Sequence, residues 1–320
     1  MISPFATAFF ATMTAIAGIF VIILGSGILV RRQIITRGQI DGLSSASVKL
    51  FLPCLIFGKV VQTFDPPSQP GWWVLPIAGV VMALTGTGLG AIAFINQLSD
   101  KKDLLTVAGM QNAGYLVLPI GLALFPDQFD TFALYVFLFI LGYNPVLWSL
   151  GKILISGDVN ERPRLRDVVT PPLVANLSAI TVAVSGAGRF LPEIVLGAID
   201  LVGSAAVPVA TVVLGSVLGG ISFHIKSHLA DAWRVLVVKY VALPGLVVML
   251  LQLTGLHSTN SLLAEFFVIE AAAAPAVALV LQVRTYGGNE ERIGSAMILS
   301  YATCVVALPA WVAIWRILVA

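Results

Sequence analysis

Ten apolar stretches, joined by short polar connections, make up most of the 320-residue sequence. A membrane-spanning helix needs about 20 mostly apolar residues, and stretches of this length recur along the chain. A water-soluble fold of this size could not bury 58% hydrophobic residues behind only 11% charged ones. The sequence therefore predicts an all-α polytopic membrane protein and excludes a soluble enzyme, a nucleic-acid binder and a disordered chain. The predicted spans are 6–30, 43–64, 72–95, 104–125, 131–155, 170–188, 194–220, 234–255, 261–283 and 293–318.

Basic residues concentrate in alternate connections between these spans. Fourteen of the 18 Lys and Arg residues follow spans one, three, five, seven and nine. Positively charged loops remain in the cytoplasm, so both termini are predicted on the extracytoplasmic side. The residues behind this count are Arg31, Arg32, Arg37, Lys101, Lys102, Lys152, Arg162, Arg164, Arg166, Lys226, Arg234, Lys239, Arg284 and Arg292.

Prolines inside the spans recur at matching positions in the two halves of the chain. Pro53 and Pro208 are 155 residues apart, and Pro119 and Pro275 are 156 residues apart. Because a proline inside a helix deletes a backbone hydrogen bond, such ordered positions indicate a repeated structural unit. Two further pairs have larger offsets: Leu75-Pro76 with Leu243-Pro244, and Pro145 with Pro309.

The sequence divides into two units of five spans. An odd number of spans forces the second unit to enter the membrane in the opposite direction, and inverted repeats with interrupted helices are typical of secondary transporters. We therefore predict ten transmembrane helices in two inverted five-helix repeats, with helices four and nine broken where they cross. The repeats are residues 1–155 and 170–320, and residues 156–169 form a cytoplasmic linker.

Polar residues lie beside the central prolines of spans four and nine. Gln111 and Asn112 precede Pro119, and Glu270 precedes Pro275. A broken helix exposes N–H groups that favour an anion and carbonyls that favour a cation, and neither is tolerated in lipid. The carbonyl ends are predicted near residues 115–118 and 271–274, and the N–H ends near residues 120–121 and 276–277. A carboxylate at membrane depth indicates a functional site, so Glu270 is predicted to carry a coupled proton or cation. The alternative for this residue is a structural hydrogen bond.

Four segments resemble those of one known family. AGMQNAGYLVLPIGLALF resembles the span-four signature of the auxin efflux carrier family, and EAAAAPAVALVLQVRTYGG resembles its span nine and following loop. SAAVPVATVVLG is similar to its span seven, and SYATCVVALPAWV to its last span. The order of these motifs extends the resemblance over nearly the whole chain.

The resemblance implies a scaffold of spans 1, 2, 6 and 7, and a transport unit of spans 3–5 and 8–10 that moves like an elevator. It also implies that two copies of the chain can associate through the scaffold as a homodimer. The chain lacks the long central loop of the plant carriers and looks more like bacterial members of the inner membrane, for which small organic anions are the proposed substrates. The implied substrate-binding residues are Asn112, Gly114, Tyr115, Pro119, Asn144 and Pro275, and the predicted carbonyl end of span nine adds Ala274 to this set.

The sequence favours three functions to different degrees. The preferred one is a carrier of a small mono- or dicarboxylate, coupled to H⁺ or Na⁺. The second is a sodium-coupled symporter of a larger, bile-acid-like anion. An intramembrane enzyme is disfavoured, because no HExxH or GxGD motif is present and Ser26 lacks a membrane-embedded histidine. No catalytic residue, metal site or cofactor is expected.

Overall fold

A computed structural model of the protein describes residues 3–69, 71–157 and 168–319. These residues form helices without a β-strand, apart from one isolated bridge. This confirms the predicted all-α membrane architecture, since helices satisfy their backbone polar groups within one segment. Most of the predicted linker 156–169, with Arg162, Arg164 and Arg166, lies outside the described residues.

The helices are numbered in chain order. They are α1 Pro4–Arg31, α2 Arg37–Ala46, α3 Leu52–Thr63, α4 Val74–Ala93, α5 Leu98–Gly109, α6 Val117–Leu124, α7 Phe129–Ser156, α8 Pro171–Val184, α9 Glu193–Gly203, α10 Ala206–Gly219, α11 Ile225–Val237, α12 Leu243–Thr254, α13 Leu256–Thr259, α14 Ser261–Ala272, α15 Ala278–Tyr286 and α16 Glu290–Leu318.

Seven helical segments of the described chain are long and apolar enough to cross a membrane. The other three predicted spans contain shorter helices. Spans 104–125 and 261–283 are each divided into two helices, and span 170–188 holds the 14-residue α8. The seven long segments are Pro4–Arg31, Arg37–Thr63, Val74–Ala93, Pro126–Ser156, Glu193–Gly219, Ile225–Thr254 and Glu290–Leu318.

Two prolines follow π-helical turns inside long helical segments. The turn Ser47–Phe51 precedes Pro53, and the turn Val238–Ala242 precedes Pro244. A wider turn accommodates a residue that lacks an N–H and whose ring clashes with the preceding turn. Pro76, in contrast, lies in the first turn of α4. The Leu75-Pro76 and Leu243-Pro244 pairs thus occupy different positions in their helical segments.

Glycines allow α1 and α10 to approach closely. A Cβ atom added at Gly219 would lie 2.3 Å from the carbonyl oxygen of Gly27. One added at Gly215 would lie 2.1 Å from the hydroxyl of Ser26. Helix association in membranes depends on such close contact of small residues, since lipid supplies no hydrophobic drive between helices. Spans one and seven are thereby joined as one packed pair.

Candidate functional site

The breaks in spans four and nine lie side by side. Residues 110–116 separate α5 from α6, and residues 273–277 separate α14 from α15. Asn112 N–H donates to the carbonyl of Ala274 at 2.8 Å, and Ala276 N–H donates to the carbonyl of Met110 at 3.0 Å. These bonds form an antiparallel bridge between Gln111 and Pro275. The two broken helices thus pair some of each other's exposed backbone N–H and carbonyl groups. We call this pair of adjacent breaks, residues 110–116 and 273–277, the crossing.

The break in span four begins earlier than the sequence predicts. The first half-helix ends at Gly109, and Pro119 lies in the first turn of α6. A proline is tolerated there because the first N–H groups of a helix have no intrahelical partner. The prediction of carbonyl ends at residues 115–118 is therefore wrong. In span nine, α14 ends at Ala272, within the predicted stretch.

Side chains from neighbouring helices brace the crossing. The hydroxyl of Tyr143 donates to the carbonyl of Gln111 at 2.6 Å, and the hydroxyl of Tyr301 donates to the carbonyl of Pro275 at 2.8 Å. Asn112 Nδ2 donates to the Tyr301 hydroxyl at 2.8 Å, while its Oδ1 accepts from Tyr115 N–H at 3.2 Å. These bonds hold a non-helical backbone at membrane depth, where unpaired groups are costly.

A cavity of about 260 Å³ opens beside the crossing. Its wall includes the breaks together with parts of α2, α3, α7 and α10. The Gln111 amide is fully buried, and neither of its polar atoms has a hydrogen-bond partner among the described residues. The cavity can therefore offer hydrogen bonds to a solute. Polar side chains of the wall include Asp41, Gln111, Asn112, Tyr143, Asn144 and Arg284.

The wall of the cavity includes the first residues of a half-helix and a cationic side chain. Val277 and Ala278, which start α15, lie in its wall. The N-terminal end of a helix carries a partial positive charge and unpaired N–H groups, so it favours an anion. Arg284 adds a full positive charge, and its guanidinium also contacts Glu290 at 2.9 Å and the carbonyl of Gly220 at 3.1 Å. The chemistry of this wall suits a carboxylate.

The structure divides the predicted substrate-binding residues into two groups. One group lines the cavity, and the other is buried at the crossing without lining it. Gly114 belongs to the first group, and a Cβ atom added to it would meet no atom within 4 Å. The lining group is Asn112, Gly114, Tyr115 and Asn144, and the other is Pro119, Ala274 and Pro275.

Glu270 lies apart from the residues that line the cavity. Its side chain is fully buried in α14, and neither carboxylate oxygen has a hydrogen-bond partner among the described residues. Lys239 is also fully buried, its Nζ lacks a hydrogen bond there, and the turn that carries it contacts α14. The assignment of Lys239 to a cytoplasmic connection is wrong, because it lies in the π-helical turn of Ile225–Thr254.

Three other residues of the site were missed by sequence reasoning. Tyr143 and Tyr301 carry no sequence signal, since tyrosines are common in membrane helices and only the fold aims their hydroxyls at the crossing. Arg284 was counted as a loop charge although it belongs to α15. A signal for Lys239 was available, because apolar residues surround it inside the predicted span 234–255.

Two observations concern the residues considered for metal binding and for hydrolysis. They contain no group of three or more His, Cys, Asp or Glu side chains that could hold a metal ion. The Ser26 hydroxyl donates to the carbonyls of Ile22 and Ile23 at 2.8 and 3.1 Å, and packs against α10. It is thus a helix-packing residue rather than an activated nucleophile.

Sequence comparison gives one family match. Residues 11–163 and 158–312 each match the profile of a family described as membrane transport protein. Together the two matches extend over nearly the whole chain. No curated protein sequence matches the chain significantly.

Proposed function

The chain belongs to the auxin efflux carrier family of membrane transport proteins, and we propose that it is a secondary active transporter of a small organic anion, a mono- or dicarboxylate. The family and the apolar helices support a multi-pass membrane protein, and they favour a transporter over an enzyme. The observation that carries the proposal is the cavity beside two crossed, broken helices. Secondary transporters bind their substrates at such discontinuous helices near the middle of the bilayer.

In the proposed complex, a carboxylate lies at the start of α15. Val277 and Ala278 N–H groups face it, and the Gln111 and Asn144 amides orient it. The Asn144 side chain makes no hydrogen bond within the described residues, so it is available to a solute. Arg284, which also pairs with Glu290, adds a charge-assisted hydrogen-bond donor to this wall.

Matching helix lengths support the proposed inverted repeat. Helices of 12, 8 and 28 residues follow one another as α5, α6 and α7, and helices of 12, 9 and 29 residues do so as α14, α15 and α16. The last member of each set contains a proline, Pro145 or Pro309. We propose ten spans in total, both termini outside the cytoplasm and a location in the bacterial inner membrane.

The proposed motion is an elevator-like sliding of spans 3–5 and 8–10 against spans 1, 2, 6 and 7. A homodimer would associate through the latter spans, which would stay fixed in the membrane. This motion would carry the cavity from one face of the bilayer to the other, with H⁺ or Na⁺ as the coupling species.

The size of the cavity favours a small anion over the bile-acid-like alternative. Pockets for drug-sized ligands enclose about 300–1,000 Å³, whereas this cavity has about 260 Å³. A carboxylate of a few carbon atoms fits that space. The sodium-coupled symporter of a large amphipathic anion is therefore the less favoured proposal.

A thermal-unfolding screen tests the proposed substrate class. The purified protein is heated with a panel of short mono- and dicarboxylates, and with taurocholate as the large amphipathic anion. We expect at least one short carboxylate to raise the melting temperature in a concentration-dependent way, because a ligand that binds the folded state stabilises it. Stabilisation by taurocholate alone would favour the alternative, and stabilisation by none would overturn the proposal.

A matched pair of glycine variants tests the location of the site. Gly114→Leu fills open space at the cavity, while Gly88→Leu fills open space at an exposed position of α4. We expect both variants to fold, and only Gly114→Leu to lower the affinity for the stabilising carboxylate, by about tenfold or more, the equivalent of about 1.4 kcal/mol. Equal affinities in both variants would place the substrate elsewhere.

A further inference from the structure

Arg284 lines the cavity and shares its guanidinium with two groups outside the cavity wall. Its Nε donates to Glu290 Oε1 at 3.0 Å, and its Nη2 lies 2.9 Å from the same oxygen. Nη2 also donates to the carbonyl of Gly220 at 3.1 Å. Neither Glu290 nor Gly220 lines the cavity. A solute carboxylate therefore meets an arginine whose donors are partly engaged by other groups.

We propose that Glu290 is an internal competitor of the solute for Arg284. Its carboxylate occupies an edge of the guanidinium that a solute carboxylate would bind, and it is released when the anion binds. The inference rests on the proposed function, because it names the residue that lowers the affinity of the same anion site. Glu290 acts through Arg284 and is thus a positioning residue that does not touch the solute.

The shape of the guanidinium makes the solute compete for its donors. Arginine has five N–H donors in a planar fork, and a carboxylate binds such a fork best through two parallel hydrogen bonds. Two edges of the fork offer two bonds, Nε with Nη2 and Nη1 with Nη2. Nη2 belongs to both edges, so a two-bond anion displaces either Glu290 or the carbonyl of Gly220. Of these two partners, only Glu290 carries a charge that repels a second carboxylate.

The contact between Arg284 and Glu290 is weak enough to be replaced. Only Oε1 of Glu290 contacts the guanidinium, and its Oε2 has no hydrogen bond among the described residues. The two side chains are 39% and 38% exposed, and exposed ion pairs contribute little stability. A solute carboxylate that uses both oxygens makes two charge-assisted bonds to the same guanidinium. The exchange therefore gains a hydrogen bond.

The local backbone brings Glu290 back towards Arg284 and favours its charge after release. Gly287 and Gly288, between α15 and α16, have φ angles of 86° and 121°, a region that strains other residues. Glu290 is the first residue of α16, and the N-terminal end of a helix favours a negative charge. The carboxylate of Glu290 is thus stabilised without Arg284.

The variant Glu290→Gln tests the competition, and Glu291→Gln is its matched control. Each removes one negative charge at the start of α16, but Glu291 contacts His224 at 3.3 Å instead of Arg284. The melting temperatures of these variants and of the unmodified full-length protein are measured against the concentrations of acetate, butyrate, malonate and succinate. Dissociation constants follow from the stabilisation at each concentration.

We expect Glu290→Gln to bind at least one of these carboxylates about fivefold more tightly than the unmodified protein, since the competing charge is gone. For Glu291→Gln we expect a change of about twofold or less, because its charge acts only through solvent. A merely structural role of Glu290 predicts the opposite sign, since a loosened Arg284 would bind the anion less well.

A second variant keeps the test valid if Glu290→Gln does not fold. Glu290→Asp retains the charge at the start of α16 but withdraws the carboxylate from Arg284 by one methylene group. We expect it also to tighten carboxylate binding. Because its net charge is unchanged, this result would separate the loss of the contact from a general change in the electrostatic field.

Two outcomes would overturn the inference. If the unmodified protein and all variants bind the carboxylates equally, or the Glu290 variants bind them more weakly, Glu290 is not a competitor, while the anion-carrier proposal stands. If no carboxylate stabilises any of these proteins, the anion site and its competitor are both wrong. The two failures are therefore distinguishable in one set of measurements.

Discussion

Buried polar side chains of this protein divide into those with a backbone partner and those without. Asn176 donates to the carbonyl of Phe137 at 2.6 Å, and Gln282 donates to that of Leu147 at 2.9 Å; both bonds join neighbouring helices. Gln111, Glu270 and Lys239 have no such partner in the described chain. Because an unpaired polar group costs stability at this depth, the unpaired side chains of Gln111, Glu270 and Lys239 indicate a functional role.

The Tyr301→Phe variant measures the energy that braces the crossing. It removes the hydroxyl that accepts from Asn112 and donates to the carbonyl of Pro275. We expect a loss of about 1–3 kcal/mol in the free energy of unfolding, because two buried partners become unsatisfied. Tyr286→Phe is the control, since its hydroxyl makes no hydrogen bond in the described chain. Equal stability of the two variants in chemical unfolding would contradict the bracing role.

At the scale of helices, the positions of interruptions matter more than their number. A π-helical turn before Pro53 or Pro244 lets a long segment continue, whereas the breaks in spans four and nine expose the backbone. The exposed groups are then paired across the two breaks. Prolines alone do not distinguish these cases, because the same residue occurs in both.

Close glycine contact gives a prediction for the pair formed by α1 and α10. In Gly219→Ala, the new methyl group would lie 2.3 Å from the carbonyl oxygen of Gly27, so the helices must separate. We expect a loss of about 1–3 kcal/mol, as for other overpacked contacts. Gly18→Ala in α1 is the control, because its Cβ meets nothing within 4 Å. A thermal-unfolding experiment in which both variants match the unmodified protein would disprove the tight contact.

At the scale of the whole molecule, a few polar contacts join the two proposed units. Lys59 of α3 pairs with Asp130 of α7 at 2.8 Å, and Arg284 of α15 reaches the carbonyl of Gly220 after α10. Sliding of one unit along the other would break both contacts. The ion pair is partly exposed, and exposed ion pairs contribute little stability. The buried bond from Asn176 of α8 to the carbonyl of Phe137 of α7 also joins the two units and would have to break.

Cross-linking across this boundary tests the elevator proposal. With Cys54 and Cys304 replaced by serine, cysteines are introduced as Lys59→Cys and Asp130→Cys and joined by a short bis-maleimide. We expect the cross-linked protein to bind the carboxylate identified by the screen but to lose uptake in vesicles. Binding needs only one position of spans 3–5 and 8–10, whereas uptake needs these spans to slide. The single-cysteine variants treated in the same way are the controls. Uptake that persists in the joined protein would contradict sliding at this boundary.

The sequence by itself determined that most of the chain lies in lipid, that its architecture is all-helical, and which two segments contain the helix interruptions. It could do so because each of these depends on local composition and on the missing N–H of proline. Only the tertiary structure decided that the break in span four precedes Pro119, that Tyr143 and Tyr301 brace the crossing, and that Lys239 and Glu270 are buried in helical elements that contact each other. These features depend on which side chains from distant segments share a few ångströms, and electrostatic and hydrogen-bond energies fall steeply with such distances.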